Sequence, residues 1–102
     1  MQRTIEQLAR KQGRVYVYLT DAAVGAAFLR QAEAEGFTFT DGAKPTARHA
    51  SEIMAVNRDR TLNYVGTNGR IAFGSGVKTV GGERLLRVDY AKYAAGEAAF
   101  LL

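Results

Sequence analysis

The chain has 102 residues, enough for one domain that buries a real core without cross-links. It holds no cysteine, which excludes a disulfide, a thiolate nucleophile and a thiolate metal site; its apolar (47%) and charged (24%) shares are those of an ordinary globular chain. The formal net charge of +4 comes without a polybasic run, so it reads as solubility rather than as a dedicated phosphate-binding track.

No stretch approaches the ~18 uninterrupted apolar residues of a membrane span. The amino terminus carries basic residues with no apolar run behind them, so no signal peptide is expected. The absence of cysteine fits the expected cytoplasmic setting. The expected organisation is a single domain over 1–102: a short helix in 1–13, an α+β core over 14–93 and an apolar tail over 94–102.

In chain order, Thr4 and Gln7 fit a capping box, and Ile5, Leu8 and Ala9 form a small apolar face before Gly13 ends the segment. So short a helix must dock or fray. Arg14 to Leu19 alternates as a strand, with Val15, Val17 and Leu19 on one face and Tyr16 and Tyr18 on the other. Thr20 or Asp21 can cap a helix over Asp21 to Glu35, whose stripe is Val24, Phe28, Leu29 and Ala32. Gly25 lies inside that helix, where close packing on the sheet would account for it. Gly36 ends the helix, and Phe37 to Thr40 follows as a strand.

Asp41 to Ala50 is a loop containing the only proline, Pro45. Ser51 to Asn57 reads as a central strand and Leu62 to Val65 as its hairpin partner. Asn68-Gly69 is a strong hairpin signal, with a short strand expected at Ile71 to Phe73. The glycines from Gly74 to Gly82 read as loop or flexible ribbon. Leu85 to Tyr90 is the last strand, and Ala91 to Glu97 a closing helical turn. The expected fold is thus α+β: a strand-helix-strand start, then an antiparallel meander, with one main helix on one face of the sheet. Its expected core is Val15, Val17, Leu19, Val24, Phe28, Phe37, Phe39, Val88 and Tyr90.

No catalytic, metal-binding or cofactor-binding set stands out, and a non-enzyme is expected. His49 is the only histidine; acid-base chemistry needs a partner held close, and an exposed loop histidine is the simpler account. A metal would need three or four suitable ligands. Gly69 and Gly74 have the spacing of a phosphate loop, but Ser75 stands where lysine is required. Gly66-Thr67-Asn68-Gly69 is similar to the Gly-x-x-Gly loop of KH domains, although that loop joins two helices and both flanks here read as strands. Val15-Tyr16-Val17-Tyr18 resembles the first-strand motif of RNA-recognition motifs, whose companion Arg70-Ile71-Ala72-Phe73 only partly matches. Packing of Tyr16 and Tyr18 under a loop or the amino-terminal helix is the competing account.

A wider resemblance covers residues 14–93. Val-Tyr-Val-Tyr-Leu-Thr at 15–20, Ala-Glu-Ala-Glu-Gly-Phe-Thr-Phe at 32–39, Asp-Gly-Ala-Lys-Pro-Thr at 41–46 and Leu-Leu-Arg-Val-Asp-Tyr-Ala-Lys-Tyr at 85–93 carry it. With these the chain resembles small uncharacterised proteins of phages and mobile elements in gut Firmicutes. The resemblance implies a non-enzymatic protein that binds a partner and inhibits a bacterial defence system such as CRISPR-Cas. The alternative is a single-stranded RNA- or DNA-binding module. Candidate contacts for a protein partner or nucleic acid are Tyr16, Tyr18, Arg14, Lys44, Arg48, Arg58, Arg60 and Arg70. The tail Phe100-Leu101-Leu102 is expected to cover a neighbour in a homodimer, with folding back on its own sheet as the competing outcome.

Overall fold

The computed structural model describes residues 3–102; Met1 and Gln2, the start of the expected 1–13 helix, lie outside the described residues. Helix α1 (Ile5–Ala9) has the expected capping box: the Thr4 hydroxyl accepts from the Gln7 amide at 3.1 Å, and the Gln7 side chain accepts from the Thr4 amide at 3.0 Å. Five residues cannot hold a helix alone. Burial and a capping anion help keep it in place. Ile5 and Leu8 are fully buried, and the Glu35 carboxylate accepts from the Ile5 and Glu6 amides at 2.9 and 2.8 Å. An anion on those amides satisfies orphan donors and suits the positive end of the helix.

Strand β1 (Arg14–Tyr18) leads into α2 (Ala22–Ala34). Asp21 is the cap, its carboxylate accepting from the Val24 amide at 2.9 Å. The helix stops in a Schellman arrangement, with Phe37 N–H on the Ala32 carbonyl at 2.9 Å and Gly36 N–H on that of Glu33 at 3.0 Å. Strand β2 (Thr38–Phe39), a 3-10 turn at Pro45–Ala47, β3 (Ile53–Val56) and β4 (Thr61–Tyr64) follow. Then come α3 (Gly66–Ser75), β5 (Thr79–Val80), β6 (Glu83–Asp89) and α4 (Tyr90–Ala94).

The fold is α+β, but its sheet is mixed and not an antiparallel meander. The strand order is β2-β4-β3-β1-β6-β5, with β1 parallel to β6 and β2 parallel to β4. The expected strand-helix-strand start is not a unit either. Strand β2 lies at the far edge, separated from β1 by β3 and β4, because α2 crosses one face of the sheet before the chain turns back. The β3–β4 hairpin is present, pairing Val56 with Leu62 and Ala55 with Asn63.

The expected hairpin at Asn68-Gly69 and strand at Ile71 to Phe73 are instead helix α3. Val65, Gly69 and Phe73 recur at helical spacing and turn toward the sheet. Phe73 lies against Tyr18 with ring centroids 6.1 Å apart, and a Cβ on Gly69 would sit 3.7 Å from the Tyr16 ring. Gly69 and Gly74 each cost such a helix about 1 kcal/mol relative to alanine, which is why propensity pointed away from it. A second helix therefore covers the sheet face opposite α2. The larger core lies between the sheet and α1, α2 and α4; the smaller holds Tyr16, Ile53, Ala55 and Leu85 under α3. Of the nine expected core residues, eight are buried and Val24 is partly so.

Three smaller expectations also shift. Gly25 is buried, but its close neighbour is the Ala50 methyl, 3.0 Å from where a Cβ would stand, so it admits the 46–52 segment and not the sheet. The ribbon around Gly81-Gly82 is in part a tight hairpin pairing Thr79 with Arg84. The tail takes the competing fold-back course: Asp89 N–H reaches the Phe100 carbonyl and Leu102 N–H reaches that of Arg87, each at 2.8 Å, so the tail runs along β6 while the Leu101 and Leu102 side chains stay exposed.

Tyr90 ties these parts together, its hydroxyl donating to Gln31 Oε1 at 2.6 Å while Gln31 Nε2 donates to Glu35 at 2.9 Å. Burial, with the Glu35 charge adding to it, pushes the Tyr90 phenol up to about 12. An unfolded tyrosine ionises near 10. The folded form holds the proton more tightly, so this contribution is complete below about pH 10 and is lost as pH rises toward 12. The melting temperature should therefore fall over that window, and less steeply in Tyr90→Phe. An equal slope in the two proteins would locate the alkaline loss elsewhere.

Candidate functional site

A hollow of about 740 Å³ forms a groove between the amino-terminal half of α2 and the segment 46–52. Its size is that of a typical ligand or side-chain pocket. The groove is tied at both ends and open between them. At one end the Glu33 carboxylate accepts from the Thr46 hydroxyl at 2.6 Å and from the Thr46 amide at 3.2 Å, bonds that hold its carboxyl below the usual range. At the other, Leu19 N–H donates to the Glu52 carbonyl at 2.8 Å. Leu19, Gly25, Ala26, Leu29 and Ala50 give an apolar lining, and Asp21, Arg30, Arg48, His49 and Glu52 bring charge of both signs to it. Small residues on α2 keep it open.

Arg48 is held in two ways. It pairs with Asp41, a contact that depresses the Asp41 carboxyl and raises the guanidinium, and its Cζ lies 4.9 Å from the Phe39 ring centroid. The His49 carbonyl accepts from the Tyr64 hydroxyl at 2.7 Å. Among the described residues no three or more His, Asp or Glu side chains converge as metal ligands would.

A second hollow, about 260 Å³, lies on the α3 side of the sheet. It is more polar and brings together Arg14, Tyr16, Asn57, Arg58 and Asn63. Arg14 pairs with Glu83 at 3.3 Å, and Arg58 donates to the Lys11 carbonyl at 3.2 Å. Asn57 Nδ2 donates to Asn63 Oδ1 at 2.8 Å.

The eight expected contact residues do not form one surface. Arg14, Tyr16 and Arg58 meet at this second hollow, with Tyr16 buried under α3 and Tyr18 half-buried against Phe73. Arg48 lines the larger groove on the other side of the sheet. Arg60 holds α1 against the β3–β4 turn, bonding Glu6 at 2.6 Å and the Glu35 carbonyl at 3.0 Å. Arg70 pairs with Glu52 at 3.1 Å, and Lys44 is exposed beside Glu33. The groove residues Asp21, Arg30 and His49 were not singled out as a site by the sequence. The available signal was Ala22-Ala23 and Ala26-Ala27, four apart on the outer side of a helix, where charged residues are the norm.

Comparison with known proteins finds no matching family model, no matching curated protein and no matching solved structure. No helix of the described residues is long and apolar enough to cross a membrane.

Proposed function

We propose that this is a non-enzymatic binding protein that acts by protein-protein contact through the groove between α2 and segment 46–52. The observation that carries the reading is the groove: an apolar lining made by alanines and Leu29, with both signs of charge around it, anchored at both ends. An apolar centre under a polar rim is the usual anatomy of a surface that takes an anchor side chain from a partner. Together with the resemblance of residues 14–93 to phage and mobile-element proteins, it supports an inhibitor that holds a larger bacterial machine inactive, with CRISPR-Cas effectors as the first class to examine.

Ala26 is exposed on the groove and can be changed without touching the core. Wild type is expected to restore plasmid entry into cells with an active CRISPR-Cas system and to co-elute with its effector. Ala26→Arg should melt at the same temperature and lose both effects. Equal activity of the two proteins would remove the groove from the mechanism, and no activity of wild type against a panel of such systems would remove the inhibitor reading.

A second reading, single-stranded nucleic-acid binding, draws on one observation. Arg14, Tyr16, Arg58 and two asparagines share a hollow on the opposite side of the sheet. A base could use the ring only if α3 moved aside.

A further inference from the structure

We infer that α3 is a hinged lid over a stacking platform for single-stranded nucleic acid, an inference that rests on the second reading above. The platform is a row of side chains across the sheet. The strand register aligns Asn63, Ala55, Tyr16 and Arg87 on neighbouring strands, and alternation puts Arg14 and Tyr18 on the same face. An aromatic ring with a small residue on one side and a guanidinium on the other suits a base stacked on the ring with its phosphate on the arginine. The charge agrees. Residues 66–88 hold Arg70, Lys78, Arg84 and Arg87 against Glu83 alone, in a chain with 14 cationic and 10 acidic residues. An acidic protein would use the cations but not the rings of Tyr16 and Tyr18.

What covers this row is weakly held. Helix α3 has no side-chain cap at its amino terminus. Its two ends are glycines in the left-handed region, Gly66 at φ +70° and Gly76 at φ +74°; no atom lies near the position of a Cβ on Gly66, and only an Arg87 nitrogen, at 4.0 Å, on Gly76. Such positions absorb rotation at little steric cost. Between them the helix is fastened by the Phe73 ring against Tyr18, by Arg87 Nη1 on the Phe73 carbonyl at 3.2 Å and by the exposed Arg70–Glu52 pair. Exposed ion pairs hold little. Opening would uncover Tyr16 and Tyr18 and free the Arg87 guanidinium at the same moment, so the lid and the ligand compete for one arginine.

The apparent affinity of such a site scales with the open fraction of the lid. Two substitutions in the full chain move that fraction in opposite directions. Phe73→Ala removes the main fastening and should tighten binding roughly tenfold. Gly74→Ala adds a Cβ that meets nothing within 4 Å and strengthens the helix, so it should weaken binding about fivefold. With no tryptophan in the chain, quenching of tyrosine fluorescence reads stacking directly. The probe is an oligothymidylate of about eight nucleotides, titrated at several salt concentrations, with the matching duplex as control. The expected order of affinity is Phe73→Ala, wild type, Gly74→Ala, with loss at high salt and no quenching by duplex. Amide exchange in α3 should be faster than in α2. If folded Phe73→Ala shows no quenching at low salt, the platform is overturned and with it the nucleic-acid reading. If all three proteins bind alike and α3 exchanges as slowly as α2, the lid is overturned while that reading stands.

Discussion

Phe28→Ala is expected to lower stability by about 3–5 kcal/mol. The ring is fully buried at the centre of the α2 stripe and meets Tyr90 edge-on, with centroids 5.0 Å apart and planes at 79°. Its removal leaves a cavity beside Tyr90 in the larger core that neighbouring side chains cannot fill without leaving their rotamers. A domain of this size has only about 5–15 kcal/mol in total. The melting temperature should fall by on the order of 20 °C. Phe28→Leu, which keeps most of the volume, should lose far less. A melt unchanged by the alanine would mean that α2 does not pack as described.

That prediction rests on a part of the fold legible in the sequence. The stripe Val24, Phe28, Leu29 and Ala32, the Asp21 cap and the Gly36 stop are local signals, each set by bonds within a few residues. The alternation of Val15, Tyr16, Val17 and Tyr18 is local too. Pairing order is not. That β1 lies parallel to β6, some seventy residues on, depends on which strands can share buried faces once α2 and α3 cover the two sides. No spacing within either strand encodes it.

Helix α3 was hidden for a different reason. Its sheet-facing positions Val65, Gly69 and Phe73 are only three, one of them a glycine, and Asn68-Gly69 is a hairpin signal when read alone. Tertiary contact with Tyr16 and Tyr18 outweighs propensity here. The candidate sites follow the same division. The tyrosines and arginines were visible as residue types, yet which of them meet is decided by the sheet order. The α2 groove depends on segment 46–52 returning against Gly25, a contact between elements some twenty-five residues apart.

Gly13→Ala is expected to cost about 3 kcal/mol or more, from two causes that add. Gly13 links α1 to β1 at φ +104°, a backbone conformation that side chains disfavour. An added Cβ would also overlap the Arg84 carbonyl oxygen and press on the Arg84 Cβ at 3.3 Å. The obstacle is backbone, and it is pinned on both sides: Arg84 pairs with Thr79 of β5, and the next residue, Leu85, pairs with Arg14 of β1. Relief therefore requires the start of β6 to separate from β1, or α1 to leave the seat in which its Ile5 and Leu8 are buried. Gly42→Ala supplies the control. Gly42 is exposed at φ +90° with nothing within 4 Å of the position of a Cβ, so it carries the conformational cost alone, about 1 kcal/mol. Chemical denaturation of the two variants should show the Gly13 protein losing clearly more. Equal losses would mean that the β6 backbone yields to the methyl group, and that the junction between α1 and β1 is looser than its contacts imply.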